Sequence, residues 1–304
     1  MFQNYDVIEY IQQFRNEFLD SFFWAVSFII DMPLLMLIIA ILYWCVDKKY
    51  SVILTISYFI GSILNGLVKI IARTPRPADP RIAILYGDST KSTYSFPSGH
   101  SQYASSQATA VSLRTHKSNA KNKWILYLIS IIIALLGGFA RIYLGVHFWE
   151  DVVAGLAMGV VLMLLLIWAI SKIKNELWYI AFLAPLYIIM IFQPDHSLYG
   201  FVGILTGVIV GYLIEKKHIN MQYGKNTKSN ILRVVCGYPP ALLLYMLRYF
   251  ILADIHVAID YTIMLTTGFY ITLFIPFCLT KTKQENRPPR TSQTDEPSPC
   301  PRVF

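Results

Sequence analysis

The chain has 304 residues, of which 55% are hydrophobic and only 14% charged, whereas a soluble domain averages about 25% charged residues. Length alone would fit two soluble domains of ~150 residues each, but the apolar residues fall in long uncharged blocks, which excludes that class. The formal net charge of +8 does not point to nucleic acid either. Its basic residues sit in short loops between apolar blocks, where they report membrane topology.

The first residues, MFQNYDVIEY, have no basic segment ahead of an apolar run. No cleavable signal peptide is expected, and the first apolar block should insert and stay. Blocks near the ~20 residues that a membrane helix needs follow at Pro33 to Val46, Tyr50 to Ala72, Ser98 to Leu113, Trp124 to Val146, Trp149 to Ser171, Leu177 to Gln193, Tyr199 to Ile214, Ile231 to Ala253 and Val257 to Thr280. The expected fold is therefore all-α, a polytopic membrane helical bundle of about nine spans. The first span is short unless Phe22 to Ile30 joins it across Asp31-Met32-Pro33, with Asp31 as N-cap and Pro33 in the first turn. The third is the least hydrophobic. Its Ala104, Ser105, Ser106, Ala108 and Ala110 suit close packing inside the bundle.

The tail from Lys281, KTKQENRPPRTSQTDEPSPCPRVF, is rich in Pro, Ser, Thr and charge and is expected to be disordered. Alternating the nine spans puts 18 of the 26 basic residues on the side of the Asp47 to Lys49 turn and 8 on the other. The first side is then cytoplasmic and the amino terminus outside. By this topology Cys45, Cys236, Cys278 and Cys300 lie in cytoplasmic halves of spans or in the tail, and none is placed for an oxidised extracytoplasmic bridge.

Ionisable residues in so apolar a bundle are expensive, and three clusters fall on the extracytoplasmic side. At the exit of the second span, Lys69, Arg73 and Arg76 are spaced to share a helical face, although Pro75 and Pro77 must end regular helix nearby; alone they read more simply as a snorkelling pair at the interface. At the entrance to the third, Pro97-Ser98-Gly99-His100-Ser101 opens a helix whose unpaired N–H groups can take an anion; alone this is a Ser N-cap followed by a histidine. Between the fourth and fifth, Arg141 precedes His147 and Asp151. The last two are four apart, so the carboxylate can hold one imidazole nitrogen and leave the other as a base or nucleophile; alone they read as an interfacial contact. Glu150 reads as a solvated or interfacial acid. His116 and His218 fall in basic loops, and His196 and His256 between later spans.

The order K-x6-RP, PSGH, R-x5-H-x3-D, over Lys69 to Asp151, resembles the type 2 phosphatidic acid phosphatase (PAP2) superfamily, which also holds glucose-6-phosphatase and the vanadium haloperoxidases. The family pattern usually has Ser before the third-motif arginine; here Ala140 precedes Arg141, so any hydrogen bond of that hydroxyl must come from elsewhere. Asp151 leans toward the lipid-phosphatase branch, whereas nine spans look like glucose-6-phosphatase.

The resemblance implies that His147 attacks phosphorus to form a phosphohistidine, Asp151 orients it, and His100 protonates the departing alcohol. Lys69, Arg76, Ser98, Gly99 and Arg141 would hold the phosphate, with no metal or other cofactor. The implied function is metal-independent hydrolysis of a lipid phosphate or isoprenyl diphosphate in a membrane, with lipids and substrate as partners and no nucleic acid. The site would be extracytoplasmic or lumenal in a plasma or organelle membrane, and the carboxyl terminus cytoplasmic. A soluble phosphate ester as substrate, an alcohol acceptor in place of water, a vanadate-dependent haloperoxidase and a transporter are the alternatives. A transporter would place its ionisable groups near the bilayer midplane; these gather at one face. The expected organisation is an extracytoplasmic segment over 1–32, the catalytic core over 33–175, further membrane helices over 176–280 and a cytoplasmic tail over 281–304.

Overall fold

Twelve α-helices run through the described residues of the computed structural model, which are 5–85, 94–118, 121–192, 196–224, 226–252 and 256–285. A short helix α1 (Tyr5–Gln12) precedes α2 (Glu17–Ile30), which Asn16 caps by accepting from the Leu19 N–H at 2.9 Å. α2 and α3 (Met32–Ile41), with the π-helical turn Leu42–Val46 that ends it, form one apolar pair bent by 46° at Asp31. The residue-32 boundary expected for an N-terminal segment thus falls within a bent helical pair. Pro33 stands in the first turn of α3 as expected, but the Asp31 carboxylate makes no cap hydrogen bond; it is turned toward α5 instead, as described below.

α4 (Lys48–Ala72) starts at Asp47, whose carboxylate accepts from the Tyr50 N–H at 3.0 Å. At a rise of about 1.5 Å per residue, its 25 residues exceed the ~30 Å of a hydrocarbon core. It ends at Arg73, left-handed with φ 49°. The continued helix that would align Lys69, Arg73 and Arg76 therefore does not form, and Arg73 is exposed.

α5 (Gly99–His116) lies against α6 (Lys123–Tyr143) and α7 (Trp149–Ser171). Close approach of α7 to α5 needs two glycines. A Cβ at Gly155 would come within 2.4 Å of the Ser98 carbonyl oxygen, and one at Gly159 within 2.4 Å of that of Gln102. Ala104, Ser105, Ser106 and Ala110 of α5 are buried, as interior packing requires.

A 3-10 turn (Glu176–Phe182) leads into α8 (Ala184–Phe192), then α9 (His196–Ile214), α10 (Thr227–Leu247), α11 (Val257–Phe269) and α12 (Ile275–Glu285). α12 passes the expected boundary at 280; the tail from 286 lies outside the described residues. Among the described residues six helices or helix runs are long and apolar enough to cross a membrane, or seven if the bent pair is one span. The two other expected segments are also helical, but α5 does not qualify by apolar composition and Glu176–Phe192 is short. Nine helical segments are present where nine were expected, and not all meet the requirements of a span.

The C-terminal helices are bonded to the N-terminal ones at several depths. Trp44 Nε1 donates to the Ile271 carbonyl at 2.7 Å, and the Tyr238 hydroxyl to that of Pro33 at 2.8 Å. Lys48 Nζ donates to Glu215 Oε1 and to the Met221 carbonyl, both at 2.6 Å, with Glu215 fully buried. Among the described residues, Cys45, Cys236 and Cys278 form no disulfide.

Candidate active site

The site is built where the ends of α4 and α6 meet the starts of α5 and α7. Pro75 and Pro77 fix an extended return after α4, and Arg76 is carried across to the α6–α7 turn. Its Nη1 donates to the Val146 carbonyl at 2.9 Å and lies 3.1 Å from His147 Nε2. A guanidinium can only donate, so Nε2 carries the lone pair and the ring proton sits on Nδ1. That nitrogen faces Asp151 Oδ2 at 3.4 Å and Ser95 Oγ at 3.2 Å.

Asp151 occupies the third position of α7, where an acid suits the helix start. Its Oδ2 accepts from the Phe148 N–H at 3.0 Å and from the Ser95 hydroxyl. His147 and Asp151 are both 2% exposed. His147 stands in the turn before α7, and burial pushes its imidazole well below the ordinary range. Arg76, Arg141, Lys69 and His100 push the same way. The ring is therefore neutral at physiological pH, with a lone pair on the nitrogen that faces Arg76.

Lys69, in the last turn of α4, donates from Nζ to the carbonyls of Tyr94 and Ser95 at 2.7 and 2.9 Å. This ties the segment before α5 to the end of α4, as does the Ser95 N–H on the Thr74 carbonyl at 2.8 Å. Arg141 is 1% exposed and donates from Nη1 to Ser27 Oγ of α2 at 2.5 Å. His100, in the first turn of α5, lies within electrostatic reach of Arg141, Arg76 and Lys69. Of the eight residues expected here, the three cations, both histidines and Asp151 converge.

Ser98 and Gly99 begin α5, and Ser98 acts first as its cap. Its Oγ accepts from the Ser101 N–H at 3.4 Å and the Ser101 hydroxyl at 2.8 Å, which leaves its own O–H as a donor. The Ser98 N–H is held by the Asp151 carbonyl at 2.9 Å. Ser95 escaped the sequence reading, since a serine ahead of PSGH carries no periodic or charge signal. It supplies a hydroxyl to the His–Asp pair of a chain that has Ala140 before Arg141. Glu150 is not solvated: both its carboxylate oxygens are buried with no partner among the described residues. Among those residues no group of three or more His, Cys, Asp or Glu side chains could hold a metal ion.

The PAP2 superfamily model matches residues 50–175, and the model of a PAP2 superfamily phosphatase transmembrane extension matches residues 199–287. Residues 50–175 form a PAP2 superfamily domain. The PAP2 match contains every residue of the site, and the extension match shows that the later helices are a recurrent addition to such a core in an integral membrane protein. Phosphatidylglycerophosphatase B of Bacillus subtilis is 39% identical over 88 residues, 28% of this chain and 43% of the relative. Undecaprenyl-diphosphatase of Sulfolobus acidocaldarius is 30% identical over 112 residues, 37% of this chain and 51% of the relative. The chain thus spans about half the length of those curated relatives. A transmembrane PAP2-type phosphatidylglycerolphosphate phosphatase of Bacillus subtilis, solved by crystallography, aligns with TM-score 0.46 and 27% identity over 56% of this chain and 85% of that one.

Proposed function

We propose that the protein is a membrane phosphatase that hydrolyses a lipid phosphate or isoprenyl diphosphate through a phosphohistidine, without a metal. One observation carries the reading: a buried neutral histidine directs its Nε2 lone pair toward Arg76 while Asp151 and Ser95 hold its Nδ1 side. Phosphoryl transfer is helped mainly by positioning and by positive charge on the non-bridging oxygens, and Lys69, Arg76 and Arg141 supply that charge. Guanidinium groups suit bidentate contact with such oxygens, and the Ser98 hydroxyl and Gly99 N–H add donors at the positive end of α5.

In the first step the Nε2 lone pair forms an N–P bond as the P–O bond to the alcohol breaks. The bonding pair goes to the leaving oxygen, which takes a proton from His100. The Nδ1 proton stays between ring and carboxylate, so Asp151 offsets the positive charge that develops on the imidazole. In the second step water attacks phosphorus, its proton returns to His100, and the N–P pair returns to Nε2. The names of the relatives support a lipid-linked substrate, as one is a phosphatidylglycerophosphatase and the other an undecaprenyl-diphosphatase. The 18-to-8 division of basic residues over nine helical segments supports an extracytoplasmic or lumenal site and a cytoplasmic carboxyl terminus.

The test is phosphate release by purified protein in detergent with excess chelator, from phosphatidate, phosphatidylglycerophosphate, an isoprenyl diphosphate and glucose 6-phosphate. Turnover of a lipid substrate is expected, with acid-labile phosphoenzyme in wild type and none in His147→Ala. Preference for the sugar phosphate, or activity that vanishes with chelator and returns with magnesium, would refute the corresponding part of the reading.

A further inference from the structure

Asp31 stands at the bend between α2 and α3 and does not cap the helix that it precedes. Its Oδ1 is buried with no hydrogen-bond partner among the described residues, a costly state in an apolar bundle. Its Oδ2 lies 3.9 Å from His100 Nε2, within ion-pair range and longer than a hydrogen bond. Arg141 and Arg248 are its cationic neighbours, and the Tyr58 hydroxyl its polar one. Both arginines are engaged elsewhere as well: Arg141 donates to Ser27, while Arg248 Nε donates to Asp260 Oδ1 at 2.6 Å and its Nη2 to the His196 carbonyl at 3.3 Å. Asp260 also bonds the His196 ring.

The reaction puts a demand on His100 that its cationic neighbours oppose. A general acid must hold its proton until the leaving oxygen needs it, yet Lys69, Arg76 and Arg141 all face the ring. The groups around His100 include these three cations, the His147 ring, the Tyr103 ring at 6.2 Å between centroids, and Asp31. Asp31 supplies negative charge on the Nε2 side. An imidazolium has two N–H groups, so one can face Asp31 while the other faces the leaving oxygen.

We infer that Asp31 is the positioning residue of His100, so that the site contains two His–Asp pairs, His147–Asp151 for attack on phosphorus and His100–Asp31 for departure of the alcohol. The inference rests on the phosphatase reading and adds to it a role for the α2–α3 bend. It also gives the C-terminal helices a link to the chemistry, since Arg248 of that region, fixed by Asp260, is a neighbour of Asp31.

The experiment compares wild type, Asp31→Asn, Asp31→Glu, His100→Ala and the Asp31→Asn/His100→Ala double variant, purified in detergent and checked for a monodisperse profile. Phosphoenzyme formation is measured by rapid quench into alkaline detergent, in which a phosphohistidine survives, with the best lipid substrate and with p-nitrophenyl phosphate, whose leaving group is stable as an anion. Asp31→Asn should slow the lipid reaction by about ten- to a hundredfold, within what general-acid catalysis contributes, and leave p-nitrophenyl phosphate nearly unchanged. The alkaline limb of its kcat/KM profile should move to lower pH, because the proton on His100 is then held less tightly. Asp31→Glu should restore both rate and profile, and the double variant should be no slower than His100→Ala. Asp31→Ser replaces the asparagine variant if that protein is not monodisperse.

Equal losses on both substrates, an unmoved alkaline limb, or a further loss on top of His100→Ala would overturn the role of Asp31 and leave the phosphatase reading intact. A wild type that releases phosphate from no substrate would overturn the phosphatase reading, and this inference with it.

Discussion

Replacing Asp151 by asparagine separates charge from geometry at the His–Asp pair. Asp151 works through Oδ2, which accepts from the Ser95 hydroxyl and the Phe148 N–H and faces His147 Nδ1 at 3.4 Å. The asparagine oxygen can take that place and keep all of them, so only the negative charge is lost. That charge matters when the N–P bond forms and the imidazole becomes cationic. At 3.4 Å and an effective dielectric of about 20, the interaction of two unit charges is about 5 kcal/mol. Arg76 beside the ring and the Ser95 hydroxyl on the carboxylate screen part of it, which leaves about 4 kcal/mol, or roughly a thousandfold in rate at about 1.4 kcal/mol per factor of ten. The assay is single-turnover phosphoenzyme formation, read beside Tm in the same detergent. Asp151→Asn should lose about a thousandfold in the rate and keep its Tm, whereas Asp151→Ala should also lose Tm, since removing an acceptor from the buried Phe148 N–H costs about 1–3 kcal/mol. An asparagine variant within tenfold of wild type would refute the reasoning.

Neutral His147 makes stability depend on pH in a defined sense. Its folded value lies well below the unfolded one, so its contribution is complete above about 6.5 and is lost as pH falls through that value; the Tm difference between wild type and His147→Asn should narrow from pH 7 to pH 5, and a constant difference would contradict the assignment. Glu215→Leu leaves Lys48, bonded to it at 2.6 Å and mostly buried, without its counter-charge, and should cost about 3–5 kcal/mol by thermal melting, with phosphatase rate per folded molecule unchanged. In a cysteine-free protein within intact cells, Ala78→Cys should react with an impermeant maleimide and Lys121→Cys should not; the reverse pattern would invert the proposed topology.

The cationic and imidazole parts of the site were legible because ionisable groups are rare in an apolar bundle, and span alternation alone gathers Lys69, Arg76, His100, Arg141, His147 and Asp151 at one end. The i,i+4 relation of His147 and Asp151 is local, and it survives folding as a 3.4 Å approach. Ser98 was legible as a helix start, and less so as a ligand group, because a hydroxyl at an N-cap serves its own helix before any substrate. Ser95 was not legible. Its place depends on Lys69 and Thr74 drawing the chain back from α4, 52 residues in sequence before the imidazole that it touches.

Asp31 is the instructive failure. An acid before Met-Pro at the head of an apolar helix has local reasons to cap, and the choice between capping and turning inward is made by groups far along the chain. Gln107 donates to the Ile30 carbonyl at 2.9 Å and reaches that of Asp31 at 3.4 Å, which fixes the bend against α5. Arg141 and Arg248 then give the carboxylate a charged alternative to its own helix N–H groups. The carboxylate thus turns away from its own helix start toward His100, 3.9 Å away, with Arg141 and Arg248 as its cationic neighbours. Lys48 likewise reaches Glu215 across 167 residues instead of snorkelling to water. In this chain the local rules of helix ends hold at Asn16 and Asp47 and at the buried Ser98 and Asp151, and yield at Asp31, whose carboxylate faces His100 instead.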